Sequence, residues 1–137
     1  MKILIDTNVL IDMAVERNNN HRKADIILKS CVFKRHEGYV TSHSITDFFY
    51  IVRKDLQPEE KRNWVKYIVT NLTILTEDKE AFLSALGDND FFDLEDNLQI
   101  SCAAEEDLNY IITQNLKDFA SSPVPAISIS EFADKYC

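Results

Sequence analysis

Five short apolar runs punctuate the chain, and between them apolar residues recur every three or four positions. "KILI" (2–5), "YVT" (39–41), "LTIL" (72–75), "YIIT" (110–113) and "AISI" (126–129) are brief and rich in β-branched residues, the pattern of strands buried on both faces. "TNVLID" opens a helix directly after the first run. Ala24, Ile27, Leu28 and Cys31 predict a second amphipathic helix, and Ile45, Phe48, Phe49 and Val52 a third. Pro58 suits the first turn of another. Ala81, Phe82, Ala85 and Leu86 form a further apolar face that ends at Gly87, and Leu94, Leu98 and Cys102 continue the period up to the fourth strand. A last helix is expected from about Ser130. Strands alternating with helices predict an α/β fold: one five-stranded parallel sheet with helices on both faces and right-handed crossovers.

Composition narrows this to one domain over residues 1–137. The chain is 45% hydrophobic, enough for a core of its own, and its two Gly and three Pro leave no linker, repeat or low-complexity tract. No 18 apolar residues run together and the apolar start is too short for a signal peptide, so neither export nor contact with a membrane is expected. Three widely spaced cysteines, Cys31, Cys102 and Cys137, fit thiols in a reducing cytoplasm better than a disulfide framework. A net charge of −8 argues against a broad basic surface for gripping nucleic acid. The alternative is that some of that acid holds cations, which would then face phosphate.

In parallel sheets ligands bind beyond the carboxyl ends of the strands. Asp6 ends the first strand there, followed by Thr7 and Asn8. Ser42 to Asp47 follow the second strand, and Gln114, Asn115 and Asp118 the fourth. The helix before the fourth strand starts in "DNDFFDLED", with Asp88, Asp90, Asp93, Glu95 and Asp96, and its N-terminus lies at the same edge. Helix capping is the plainer role for Asp93 and an even alternative for Asp47, which follows Ser44 in "SITD" at capping-box spacing. For Asp6 a purely structural role is the lesser alternative, since it ends a buried strand and Thr7 or Asn8 can cap. Several carboxylates at one rim require a cation, and an all-oxygen donor set selects Mg²⁺ or Mn²⁺. His21, His36 and His43 have no metal-ligand spacing, and each reads as a surface or capping residue; His43 is also a candidate for phosphate contact near Asp47.

These blocks carry a resemblance. "ILIDTNVLID", "TSHSITDFFYIVRK" and "DLEDNLQISCAAEEDLNYIITQNLKDF" together resemble the PIN-domain family, which includes VapC-type toxin ribonucleases. The resemblance implies a Mg²⁺- or Mn²⁺-dependent endoribonuclease cutting single-stranded RNA, the toxin of a type II toxin–antitoxin pair with a cognate antitoxin as partner. It implies Asp6, Asp47, Asp96 and Asp118 as catalytic acids, with Asp6, Asp96 and Asp118 on the metal and Thr7, Thr113 and Asn115 in support. Two positions depart from the family: Asp47 stands where Glu is usual, and Asn115 where many relatives have an acid. A degenerate domain that binds RNA or acts as a scaffold is therefore the alternative. A phospho-acceptor receiver domain is excluded by the absence of a Lys after "AISI" and of a suitable Asp after "LTIL".

Arg53, Lys54 and Lys117 are candidate phosphate clamps, and Tyr50, Phe91 and Phe92 candidate stacking platforms, with core packing favoured for the Phe pair. Val9, Leu10 and Met13, or the helix carrying Trp64 and Tyr67, are candidate faces for a homodimer or an antitoxin peptide; core packing is the commoner role of each.

Overall fold

The computed structural model describes residues 1–87 and 93–137; the expectations for Asp88, Asp90, Phe91 and Phe92 lie outside these. Five parallel strands, β1 (Lys2–Ile5), β2 (Glu37–Thr41), β3 (Thr73–Leu75), β4 (Tyr110–Ile112) and β5 (Ala126–Ile127), form one sheet in the order β3-β2-β1-β4-β5. Helices α1 (Thr7–Ala14), α2 (His21–Val32), α3 (Ser42–Ile51), α4 (Pro58–Asn71), α5 (Lys79–Leu86), α6 (Leu94–Glu105) and α7 (Ile129–Tyr136) connect the strands or follow the last one. Two 3-10 turns, Val52–Lys54 and Leu116–Phe119, complete the described elements.

The strand period of two sorts the core into layers. Ile3 and Ile5 face α1, α2, α3 and α7, where Val9, Leu28, Phe48 and Phe132 are buried. Leu4 and Ile111 point the other way, to Cys102, Ala103 and Phe119. Gly38 on β2 is required by close approach: a Cβ there would lie 2.5 Å from Leu72 Cδ2 and 2.8 Å from Cys31 Sγ. All three cysteines are free, and burial pushes the thiols of Cys31 and Cys102 up to about 11, which makes them packing residues.

The structure corrects several expectations. The last strand is two residues long, and α7 starts at Ile129 with Ser128 as its cap, its Oγ accepting from Glu131 N–H at 3.1 Å. α3 starts at Ser42, so Asp47 lies in mid-helix and the capping-box reading of "SITD" fails. Neither Thr7 nor Asn8 caps α1, which has no side-chain cap. Val9, Leu10 and Met13 are core residues and offer no docking face. The capping of α6 by Asp93 holds: its Oδ1 accepts from Asp96 N–H at 3.2 Å.

Between β1 and β4 the chain changes its direction of growth across the sheet. In open parallel sheets ligands bind beyond the carboxyl ends of the strands at such a point. Asp6 and Thr113 directly follow those two strands, and both are buried.

Candidate active site

Asp6 is only 3% exposed, yet both its carboxylate oxygens are satisfied. Gln99 Nε2 donates to Oδ1 at 3.0 Å and Thr113 Oγ1 to Oδ2 at 2.8 Å. Thr113 Oγ1 in turn accepts from the backbone N–H of Asn115 at 3.0 Å. Burial raises the pKa of Asp6, and the bonds from Gln99 and Thr113 pull it part of the way back.

Asp96, in the first turn of α6, has the strongest perturbation of any carboxyl described. Its pKa is pushed up to about 7, first by burial and then by the charges of Asp93, Asp6, Asp118 and Glu95. Burial leads and repulsion follows. Asp118 is exposed on the 3-10 turn Leu116–Phe119, its N–H bonded to Asn115 carbonyl oxygen at 3.0 Å. Asp93, Asp96, Asn97, Lys117 and Asp118 line one cavity of about 210 Å³. Three of the four expected acids thus influence one another at one rim, with Lys117 at its edge.

The fourth, Asp47, belongs to an adjoining cluster. Ligand atoms of Asp47, His43 and Glu95 all lie within 4.8 Å of one another. Burial and the Glu95 carboxylate raise the pKa of Asp47, whereas His43 holds Glu95 below its ordinary value. Thr7, next to Asp6 in the chain, reaches this second cluster: its hydroxyl is 2.9 Å from Ser44 Oγ and 3.2 Å from Glu95 Oε1, and its one proton serves either. Ser44 Oγ also meets Thr41 Oγ1 at 2.8 Å.

His43 is more than the surface or capping residue its spacing suggests. Its Nδ1 contacts Glu77, which also accepts from Ser42 Oγ, and its Nε2 lies 3.5 Å from Glu95 Oε1. Burial alone would lower its pKa, but Glu95 and Glu77 outweigh that and raise it. Glu77, Glu95 and Gln99 are the residues that sequence reasoning left without a role. Glu77 offered only its place after a strand. Gln99 offered a better signal, being a polar residue set between apolar Leu98 and Ile100 on a helix flanking the sheet.

Arg53 and Lys54 are exposed on the 3-10 turn after α3, with the Arg53 guanidinium 3.8 Å from the centre of the Tyr50 ring. Tyr67 is exposed on α4, while Trp64 is partly buried against the core. Among the described residues no helix is long and apolar enough to cross a membrane.

A buried carboxylate at a sheet switch point, with acids of α6 and of the turn after β4 near it, defines an α/β protein with an acidic rim. The PIN-domain family model matches residues 2–117, and the chain belongs to that family. It is 27% identical over 139 residues to Ribonuclease VapC1 of Aquifex aeolicus (strain VF5), across 98% of this chain and 95% of that one. Solved structures share the fold at low identity. VapBC2 from Rickettsia felis, crystallised bound to a DNA fragment from its promoter, superposes with a TM-score of 0.70 at 16% identity, over 93% of this chain and 98% of that one. A toxin–antitoxin complex from Klebsiella pneumoniae gives 0.69 at 19%, over 93% and 97%. VapC20 of Mycobacterium tuberculosis, a sarcin–ricin-loop-cleaving toxin, gives 0.64 at 10%, over 80% and 86%.

Proposed function

We propose that this protein is a divalent-metal-dependent endoribonuclease acting on single-stranded RNA, the toxin of a toxin–antitoxin pair. The carrying observation is the rim of Asp6, Asp96 and Asp118. Burial and the neighbouring carboxylates push the pKa of Asp96 up to about 7, a strain that a cation would relieve, and the donor set is all oxygen, which fits Mg²⁺ or Mn²⁺. Asp6, Asp96 and Asp118 would hold the ion, with Asp47 close by through Glu95. The chemistry that a divalent cation held there would supply is a lowered pKa for water and compensation of charge on the phosphate and leaving oxygen.

The chain's own residues supply the rest. Asp6, held on both oxygens, gives the rim a fixed negative anchor, and Thr113 transmits the Asn115 backbone to it. Asn115 thus acts through its N–H, a role that survives the change from acid to amide. Thr7 orients Glu95 against Asp47 and His43. Lys117 flanks the cavity where a phosphate would enter. Ribonuclease VapC1 is the relative that supports RNA as substrate, and the toxin–antitoxin complexes among the structural relatives support an antitoxin partner. A cytoplasmic homodimer completes the reading.

Purified protein should cleave single-stranded RNA with Mn²⁺ or Mg²⁺ and stop in EDTA, and Asp6→Asn or Asp96→Asn should each abolish cleavage. Activity that survives EDTA or both substitutions defeats the proposal. Binding of RNA without any turnover would favour the degenerate, RNA-binding alternative.

A further inference from the structure

We infer that Gln99 is a positioning residue, one that fixes the Asp6 carboxylate for cation binding through its amide N–H. The inference rests on the metal-site reading above. Gln99 lies one turn after Asp96 on α6 and is fully buried. Its Nε2 donates to Asp6 Oδ1 at 3.0 Å, so the helix that carries Asp96 also holds Asp6. With Thr113 on Oδ2, each oxygen of Asp6 accepts from a side-chain donor. Donors on both oxygens restrain rotation of the carboxylate plane and so the direction of its remaining lone pairs. Ligand orientation of this kind is what neighbouring hydrogen-bond donors supply in metal sites.

The amide is retained at a cost. Gln99 Oε1 is buried with no hydrogen-bond partner among the described residues. A residue kept only to fill space would be Met or Leu, which leave no acceptor unsatisfied. What those side chains lack is the donor to Asp6.

The test compares Gln99→Met, equal in length but without a donor, with Gln99→His, whose ring N–H reaches a similar point. Each is made in the full chain and again with Asp6→Ala, and the readouts are Mn²⁺ affinity by calorimetry and turnover of single-stranded RNA. Gln99→Met should weaken Mn²⁺ binding by about 10–100-fold and lower kcat while KM for RNA holds. Gln99→His should stay close to wild type, and Gln99→Met should change nothing further in the Asp6→Ala background. Wild-type Mn²⁺ affinity in Gln99→Met, or an equal loss with and without Asp6, overturns the inference. If Gln99→Met does not fold, Gln99→His decides: retained affinity supports the role, and lost affinity with native melting overturns it. A wild type that neither binds Mn²⁺ nor cleaves RNA would instead sink the functional reading and this inference together.

Discussion

At the scale of single residues the site is organised by how each acid is compensated. Asp6 has two donors, whereas Asp96 has burial and four carboxylates against it, and its pKa stands near 7 in place of the ordinary 3.8. A group whose folded pKa is raised contributes stability that is fully present below its unfolded value and is lost as pH climbs through the folded one. Metal-free protein should therefore lose stability between about pH 4 and pH 7, and Asp96→Asn should flatten that fall and melt at or above wild type in EDTA at neutral pH. Mn²⁺ should reverse the ranking, since a ligand at about 100 times its dissociation constant adds roughly 2.7 kcal/mol to the fold that binds it. A melting series across pH, with EDTA and with Mn²⁺, checks both signs. An Asp96→Asn protein that melts well below wild type in EDTA, and gains as much from Mn²⁺, would reduce Asp96 to a residue of the helix start. Asp47 makes a separate test. It is one methylene shorter than the usual Glu, and Glu95 stands beside it, so Asp47→Glu should maintain or raise turnover while Glu95→Gln lowers it. Initial rates on one RNA substrate decide, and a large loss in Asp47→Glu would mean that the site is built around the shorter acid.

At the scale of elements, stability rests on helices docked to a sheet of short strands. β5 has two residues, yet α7 is anchored after it by Ile129, Phe132 and Ala133, with Phe132 fully buried and edge-on to His36 and Tyr110. Phe132→Ala should cost about 3–5 kcal/mol, seen as a lower urea midpoint with an unchanged slope. Lys34, just past α2, holds a left-handed conformation at φ 59, as does Asp107 past α6 at φ 51. A side chain pays a steric penalty there that glycine does not, so Lys34→Gly should raise stability by about 0.5–1 kcal/mol in the same experiment. A loss on that substitution would mean that the Lys34 side chain has a role its conformation does not reveal.

At the scale of the whole molecule the net charge of −8 sets how RNA is met. Lys117 at the rim and Arg53 and Lys54 beyond α3 are the candidate clamps, and about three phosphate contacts imply a log–log salt slope near −2 for single strands. A non-cleavable oligonucleotide should therefore bind weakly in EDTA with a shallow salt dependence, and more tightly once Mn²⁺ masks the acids. Fluorescence anisotropy against NaCl measures this, and a slope steeper than about −4 would require a basic face that this charge distribution lacks.

The α/β class, the five parallel strands and the acids at the carboxyl edge were legible in the chain, because periods of two and 3.6 and the polarity of strand ends are local properties. So was the cap from Asp93, which is set by spacing along one helix. Contacts between distant segments were not. Gln99 meets Asp6 across 93 positions and Glu77 meets His43 across 34, and such pairs exist only once the strand order 3-2-1-4-5 has brought the strand ends together. The capping-box alternative for Asp47 fails for the same reason: the helix begins where β2 stops pairing with its neighbours, and that point is fixed by the sheet. The sequence by itself determined which groups carry charge and on which edge they emerge. Only the tertiary structure decided which of them are buried, which are held by donors and which repel, because desolvation and Coulomb energy depend on distances in space.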